Sequence, residues 1–319
     1  MTDDFCRTSA GRRVCYRIDG DPSGEALLLI AGLTLDLTSW PHAMIDGLVE
    51  QGFYVIRFDN RDAGRTTPAG TPPPSLLRRV LRRPRRDGYD LGDMATDAVG
   101  VLDHLGVDRA HVVGMSMGGM IAQTIAARHP ARTASLTSIF STTGARRVGQ
   151  PAASTLLLLA NPGSRTRDDA VRKHLRLVRH LAGTRFPLDE TAAAEYAARA
   201  WDRGLRRDAG HGVARQINAI YKSGDRTAEL RRITAPTLVI HGDRDRIVHP
   251  SGGRATAAAI RGAYHVAIAG MGHDLAPGVI DRLVDLIAAQ AGVASPRPKL
   301  LRRSLMGTDR RVPDRGSGS

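Results

Sequence analysis

Only two cysteines, Cys6 and Cys15, occur in 319 residues, which excludes a disulfide-stapled scaffold. Lysine is nearly absent, with Lys173, Lys222 and Lys299 the full set, so arginine carries the positive charge. Aromatic residues make up 4%, too few to supply the stacking platforms of a single-strand nucleic-acid binder. No apolar run approaches the length of a membrane span; the longest stretches are of the kind seen at Ala26–Ala31 and Leu156–Ala160. The amino-terminal MTDDFCRTSAGRR lacks the apolar segment of a secretory leader, and a cytoplasmic protein is expected. Glycine and proline are scattered without period and no unit recurs, which excludes collagen, solenoid and propeller architectures. What remains is a globular composition, 42% apolar and 24% charged, long enough for one large domain with an insertion or for two small ones.

The cysteines lie near a hairpin. If residues 10–11 turn it, Ser9 opposes Arg12 and Cys6 opposes Cys15, so a cross-strand disulfide is conceivable; two reduced thiols are the expectation for a cytoplasmic chain. The net charge is +14. Residues 71–90 carry six Arg against Asp87 and Asp90, and residues 295–319 carry six Arg and Lys299 against Asp309 and Asp314. Most of the excess therefore sits in two short segments. The rest of the chain offers no basic groove, and no nucleic-acid partner is expected.

Strand-like and helix-like runs alternate along the chain. Short continuous apolar runs at Leu27–Ile30, Phe53–Phe58, Ala110–Val113, Leu136–Phe140, Pro236–Ile240 and Tyr264–Ile268 read as buried parallel strands. Trp40–Gln51, Met94–Leu105, Gly119–Arg128, Arg254–Ile260 and Val279–Ala289 show helical spacing between them. Phe5–Ser9 and Arg13–Ile18 add an antiparallel hairpin. The pattern predicts an α/β fold with a mostly parallel eight-stranded sheet and helices on both faces. Residues 145–225 break the alternation and read as helices only, over Ala152–Leu159, Asp168–Leu181, Asp189–Trp201 and Val213–Lys222. The expected organisation is a core of residues 1–144 and 226–293, a helical cap of 145–225, and a disordered basic tail of 294–319.

Gly114-Met115-Ser116-Met117-Gly118 matches G-x-S-x-G. The pentapeptide alone is weak, but an apolar strand ends at Gly114 and a helix begins just after Ser116, the context a nucleophile elbow requires. The two glycines leave room where a Cβ would clash, and the helix start aims unpaired N–H groups at a developing oxyanion. A serine needs a base, and the base an orienting carboxylate. A strand ends at Ile240 and runs into His241-Gly242-Asp243-Arg244-Asp245, at the sheet edge where α/β sites lie; the strand edge does not choose between Asp243 and Asp245. Another strand ends near Ile268, and His273 follows in a Gly-rich loop before the last helix. Of eleven histidines, this one follows the acid on such a loop.

Ser116, the HGDRD loop and GMGHD together resemble the α/β-hydrolase superfamily over about residues 5–291. RFDNRDAGRTT (57–67), HVVGMSMGGMIAQTIA (111–126) and AGMGHDLAP (269–277) are similar to the aclacinomycin methylesterase-like bacterial serine esterases. The resemblance implies that Asp245, the last residue of an H-G-x-x-D loop, is the acid; Arg246 stands where the family often has proline. It implies backbone oxyanion donors at Met117 and Leu33, the latter after Ala31-Gly32 where many relatives have His-Gly. It also implies that Asp59, Arg61 and Asp62 brace the site edge and take no part in the chemistry.

The expected activity is hydrolysis of a carboxylic ester, methyl esters included, of an apolar small molecule by Ser116, His273 and Asp245, with no cofactor or metal. Same-fold lactone, thioester and carbon–carbon hydrolysis and cofactor-free perhydrolysis use the same residues, and a non-catalytic ligand-binding protein is the reading from another class. A weak contact with an anionic membrane through SLLRRVLRRPRR (75–86) or the tail is a third reading: Leu76, Leu77, Val80 and Leu81 fit one face of a short basic helix limited by Pro84. Against it stands a solvated loop. The oligomeric state is not legible.

Overall fold

The computed structural model describes residues 2–9, 11–159, 164–204 and 210–292. The tail expected to be disordered lies outside the described residues. Eight strands form one sheet: β1 (Asp4–Arg7), β2 (Arg13–Asp19), β3 (Glu25–Ile30), β4 (Phe53–Phe58), β5 (Ala110–Met115), β6 (Thr133–Ile139), β7 (Thr237–Gly242) and β8 (Tyr264–Ile268), in the order β1-β2-β4-β3-β5-β6-β7-β8. β1–β2 and β2–β4 are antiparallel and every later pair is parallel. Strands β4, β5 and β7 are buried along their whole length, as strands covered on both faces must be.

Helices cover both faces. On one side α3 (Leu91–His104) and α4 (Met117–Arg128) pack Met94, Ala98, Val101, Leu102, Ile121 and Ile125 against Leu28, Ile30, Ile56 and Val112. On the other, α1 (His42–Glu50) and α11 (Pro277–Ala291) pack Met44, Leu48, Leu283 and Ile287 against Leu27, Leu29, Val55 and Val113. The alternation of Leu27 and Leu29 with Leu28 and Ile30 between the two clusters is the period-2 pleat of a doubly covered strand. Helix α3 starts earlier than apolar spacing alone predicts, because Asp90 caps it and Asp93 returns a bond to the Asp90 N–H.

Two points differ from the sequence reading. β1 ends at Arg7, and the turn runs from Thr8 to Arg12: Gly11 N–H donates to the Thr8 carbonyl (2.8 Å) and Thr8 N–H to the Arg12 carbonyl (2.9 Å), with Gly11 at φ +74°. A three-residue loop with a left-handed glycine shifts the register by one. Cys6 therefore opposes Val14 and Cys15 opposes Phe5. A one-residue slip sends neighbouring side chains to opposite faces, so the two buried cysteines do not face each other and are unbridged. The second difference is a short helix, α2 (Leu76–Val80), capped by Ser75, in the segment weighed as a basic helix or a loop.

Between β6 and β7 run α5 (Ala153–Leu159), α6 (Arg167–Leu181), α7 (Glu190–Arg203) and α8 (His211–Ser223). α9 (Thr227–Leu230) follows before β7, and α10 (Ser251–Ala259) lies between β7 and β8. The chain order steps from β3 to β4 on one side and from β5 outward on the other. The carboxyl ends of β3 and β5 thus flank the crevice where the order reverses, the place where open α/β sheets bind ligands. No helix among the described residues is long and apolar enough to cross a membrane.

Candidate active site

Ser116 sits at the junction of β5 and α4 with φ +57° and ψ −120°, a backbone conformation that an L-residue holds only under constraint. The constraint is visible in the glycines around it. A Cβ on Gly114 would lie 2.2 Å from the Gly118 carbonyl oxygen, and one on Gly118 would lie 2.0 Å from that of Ile30. The turn therefore closes only with glycine at both positions, and it is pinned from outside: Ser116 N–H donates to the Ile139 carbonyl (2.9 Å) and Ser141 Oγ to the Ser116 carbonyl (2.8 Å).

The predicted partners converge on this serine. His273 Nε2 is 3.0 Å from Ser116 Oγ, and His273 Nδ1 is 2.7 Å from Asp245 Oδ2. Asp245 is buried, and Oδ1 accepts from the N–H groups of Ile247 (2.8 Å) and Val248 (2.9 Å). Burial by itself would raise the Asp245 carboxyl; His273 and His241 outweigh it and hold the group well below the ordinary carboxylate range. Asp243 does not meet His273. Its Oδ1 accepts from Gly270 N–H (2.7 Å) and ties the β7 loop to the loop of the histidine. Of the two carboxylates the strand edge left open, Asp245 is the one on the imidazole.

The backbone positions proposed for oxyanion donors border the same point. Met117 opens α4 directly after Ser116, at the helix end where backbone N–H groups lie beyond the intrahelical ladder. A Cβ built on Gly32 would lie 3.2 Å from Ser116 Cβ, so the 32–33 segment abuts the serine. Asn60 Nδ2 donates to the Ala31 carbonyl (3.0 Å), and Thr34, at φ +68°, donates its N–H to Gln216 Oε1 (2.9 Å).

Several residues that frame the site were not singled out from the sequence. Gln216 on α8 is fully buried; besides holding Thr34 it donates Nε2 to the Arg61 carbonyl (2.7 Å). Phe140, just after β6, packs its ring against that of His273, tilted by 46° with 4.4 Å between centroids. His241 lies 3.2 Å from Asp245 Oδ2 and hydrogen-bonds the Val248 carbonyl (2.8 Å), placing a second imidazole on the acid. Asp274, beside His273, is pushed up to about 6 by burial, and its Oδ2 has no hydrogen-bond partner among the described residues. A histidine inside HGDRD was the one legible signal among these; the others depend on long-range packing.

The FDNRDAG loop works as a brace. Asp59 accepts from Leu37 N–H (2.8 Å) and Arg65 N–H (2.7 Å) and pairs with Arg203 of α7 (2.9 Å), which also binds Asp36 and Asp3. Asp62 takes Tyr89 Oη and a two-pronged Arg215 from α8. Arg61 is clasped by Asp97. Each of these side chains is engaged with protein partners, and no group of three His, Cys, Asp or Glu placed to hold a metal ion occurs among the described residues.

The sequence matches the alpha/beta hydrolase fold family model over residues 25–276. It is 32% identical over 306 residues to rhodomycin D methylesterase DauP of Streptomyces sp. (strain C5), covering 86% of this chain and 94% of that protein. It is 31% identical to the corresponding enzyme DnrP of Streptomyces peucetius, with the same coverage. Among solved structures, the esterase RhEst1 from Rhodococcus sp. ECU1013 superposes with a TM-score of 0.70 at 21% identity, over 92% of this chain and all of that one. The chain belongs to the α/β-hydrolase fold family, among its ester hydrolases.

Proposed function

We propose that the protein is a serine hydrolase that cleaves a carboxylic ester of an apolar small molecule through an acyl-enzyme, with a methyl ester as the first candidate. The observation that carries the reading is the unbroken row Ser116 Oγ–His273 Nε2 (3.0 Å) and His273 Nδ1–Asp245 Oδ2 (2.7 Å), within the 2.6–3.2 Å range that such proton transfers need. The two Streptomyces relatives are named as methylesterases, which supports the choice of leaving group.

In this mechanism His273 takes the Ser116 proton as Oγ attacks the acyl carbon. The ionised Asp245 fixes the imidazole with Nδ1–H toward itself and stabilises the imidazolium. Negative charge gathering on the acyl oxygen meets the N–H groups of Met117 and Leu33, each such donor contributing about 3 kcal/mol to the transition state. His273 returns the proton to the leaving alcohol. The ester bond breaks, and His273 next deprotonates a water that frees the acid and restores Ser116. Gln216 and Asn60 hold the 31–34 loop from two sides, so the donor is in place before substrate arrives. Helices α5–α8 serve as the cap: His273 N–H donates to the Leu181 carbonyl at the end of α6 (3.0 Å), and Arg203 and Gln216 anchor α7 and α8 on the loops of the sheet edge. Half-buried Leu33 and Leu35 beside Gly32 favour an apolar acyl group.

The test is labelling by a fluorophosphonate read by intact mass, followed by turnover on a panel of methyl and aryl esters. One adduct on wild type, none on Ser116→Ala and methyl-ester turnover lost with Ser116 are the expected results. A folded wild type that takes no adduct, or a Ser116→Ala protein with full turnover, removes the reading.

A further inference from the structure

A cluster of large aliphatic side chains stands in solvent. On α2, Leu76 and Leu77 are each 67% exposed and Val80 71%, and Leu81 follows; on α5, Leu156, Leu157 (76%) and Leu159 are exposed. Among the described residues the other large apolar side chains in solvent are Ile18 and Tyr264. A single exposed leucine is ordinary; a cluster on two short helices is not. The two segments are tied together where Arg82 Nη2, just past α2, donates to Gln150 Oε1 (3.0 Å), three residues before α5. That side of the molecule is also the side of the candidate site. Ala152 N–H and Thr155 Oγ1 both donate to the Arg246 carbonyl at 2.9 Å, and a cavity of about 490 Å³ lies between Gln150–Ala152 and the loop of Asp245 and His249.

The charge in these two stretches of chain has one sign. The sequence has no Asp or Glu between Asp62 and Asp87, and none between Asp108 and Asp168. Arg78 on α2 and Arg82, Arg83 and Arg86 after it are exposed, as are Arg146 and Arg147 ahead of α5. Arg85 is paired with Asp87. Exposed leucines ringed by arginines match a surface that is anionic outside and apolar beneath.

We propose that α2, α5 and their flanking arginines form a docking surface for a bilayer bearing anionic headgroups, beside the loop of Asp245. The leucines enter the acyl boundary and the guanidinium groups stay at the phosphates. A nucleic acid would use the arginines and leave the leucines in water. A second copy would set this cationic patch against itself, and residues 295–319, which bear a net +5, are repelled in the same way. The proposal does not rest on the hydrolase reading: binding is read without turnover.

The experiment is vesicle co-sedimentation of the full chain with phosphatidylcholine alone and with phosphatidylcholine containing phosphatidylglycerol, at low and high salt. Wild type is expected to bind the anionic vesicles at least tenfold more tightly, with affinity falling as salt rises. Leu77→Ser and Leu157→Ser are each expected to weaken binding about tenfold, from the apolar area withdrawn from water. Arg83→Gln and Arg86→Gln are each expected to weaken it about fivefold. All four side chains are exposed, so thermal melts should match wild type; Leu76→Ser with Leu156→Ser repeats the test at neighbouring positions. Absence of binding to anionic vesicles, or binding that ignores both leucine pairs, overturns the proposal. So does a dimer in light scattering that the leucine substitutions dissolve, or a DNA duplex bound as tightly as the vesicles.

Discussion

Replacing Ser116 by alanine and by glycine separates the chemistry of its hydroxyl from the strain of its backbone. Both variants lose Oγ, so neither should label with a fluorophosphonate. They differ in one methyl group at φ +57°, ψ −120°. A non-glycine residue in so sparse a region costs about 1–3 kcal/mol, and glycine is relieved of that cost. Against this, glycine loses more chain entropy on folding than alanine, by about 0.5–1 kcal/mol. The difference leaves Ser116→Gly more stable than Ser116→Ala by about 1 kcal/mol, or about 2 °C in melting temperature for a chain of this size. Guanidinium unfolding at pH 7 measures it as a shift in midpoint at constant slope. If Ser116→Gly proves less stable than Ser116→Ala by the ordinary helix-start cost of glycine, the elbow carries no strain and the argument from the glycine contacts fails.

Asp245→Asn should cut ester turnover about 10⁴-fold by favouring the wrong imidazole tautomer, whereas Asp243→Asn, whose carboxylate meets a backbone N–H of the neighbouring loop, should cost under tenfold; steady-state kcat decides. Gln216→Leu frees Thr34 N–H and the Arg61 carbonyl together, and kcat should fall about 10- to 100-fold with KM little changed, the scale of a displaced oxyanion donor; Gln216→Glu, which keeps the acceptor for Thr34, should recover part of it. Asp274, pushed up to about 6 by burial, binds its proton more tightly folded than unfolded, so the stability this confers is complete below about pH 4 and lost as pH rises through 6. Asp274→Asn should therefore gain up to about 3 kcal/mol at pH 8 and nothing at pH 4, read by urea midpoints. Asp245, held low by its histidines, and Asp3, brought to about 2 by hydrogen bonds from Arg65, Arg17 and Arg203 against a burial that would raise it, act in the opposite sense: their stabilisation is present above about pH 4 and lost as pH falls toward 2, which an acid titration of circular dichroism should follow.

The order of elements belonged to the sequence. Short continuous apolar runs of branched residues such as Leu27–Ile30 and Val112–Val113, bounded by turn residues and separated by helical spacing, read as doubly covered strands joined by parallel crossovers. Ser116 was equally legible, since a strand, two glycines and a helix start leave one way to turn the chain. What spacing could not carry was anything fixed by contact across the fold. The register of β1 and β2 turned on the left-handed Gly11 and moved Cys6 from opposite Cys15 to opposite Val14. Asp243 and Asp245 both lie in the loop after β7, and only the approach of the His273 loop separates the one that meets the imidazole from the one that ties the loops together. Gln216 and Arg203 look in sequence like polar residues of an amphipathic helix. Gln216 is buried and Arg203 half-buried because α7 and α8 return over the sheet edge, bringing them onto Thr34 and Asp59 from more than a hundred residues away, a distance over which local periodicity holds no information.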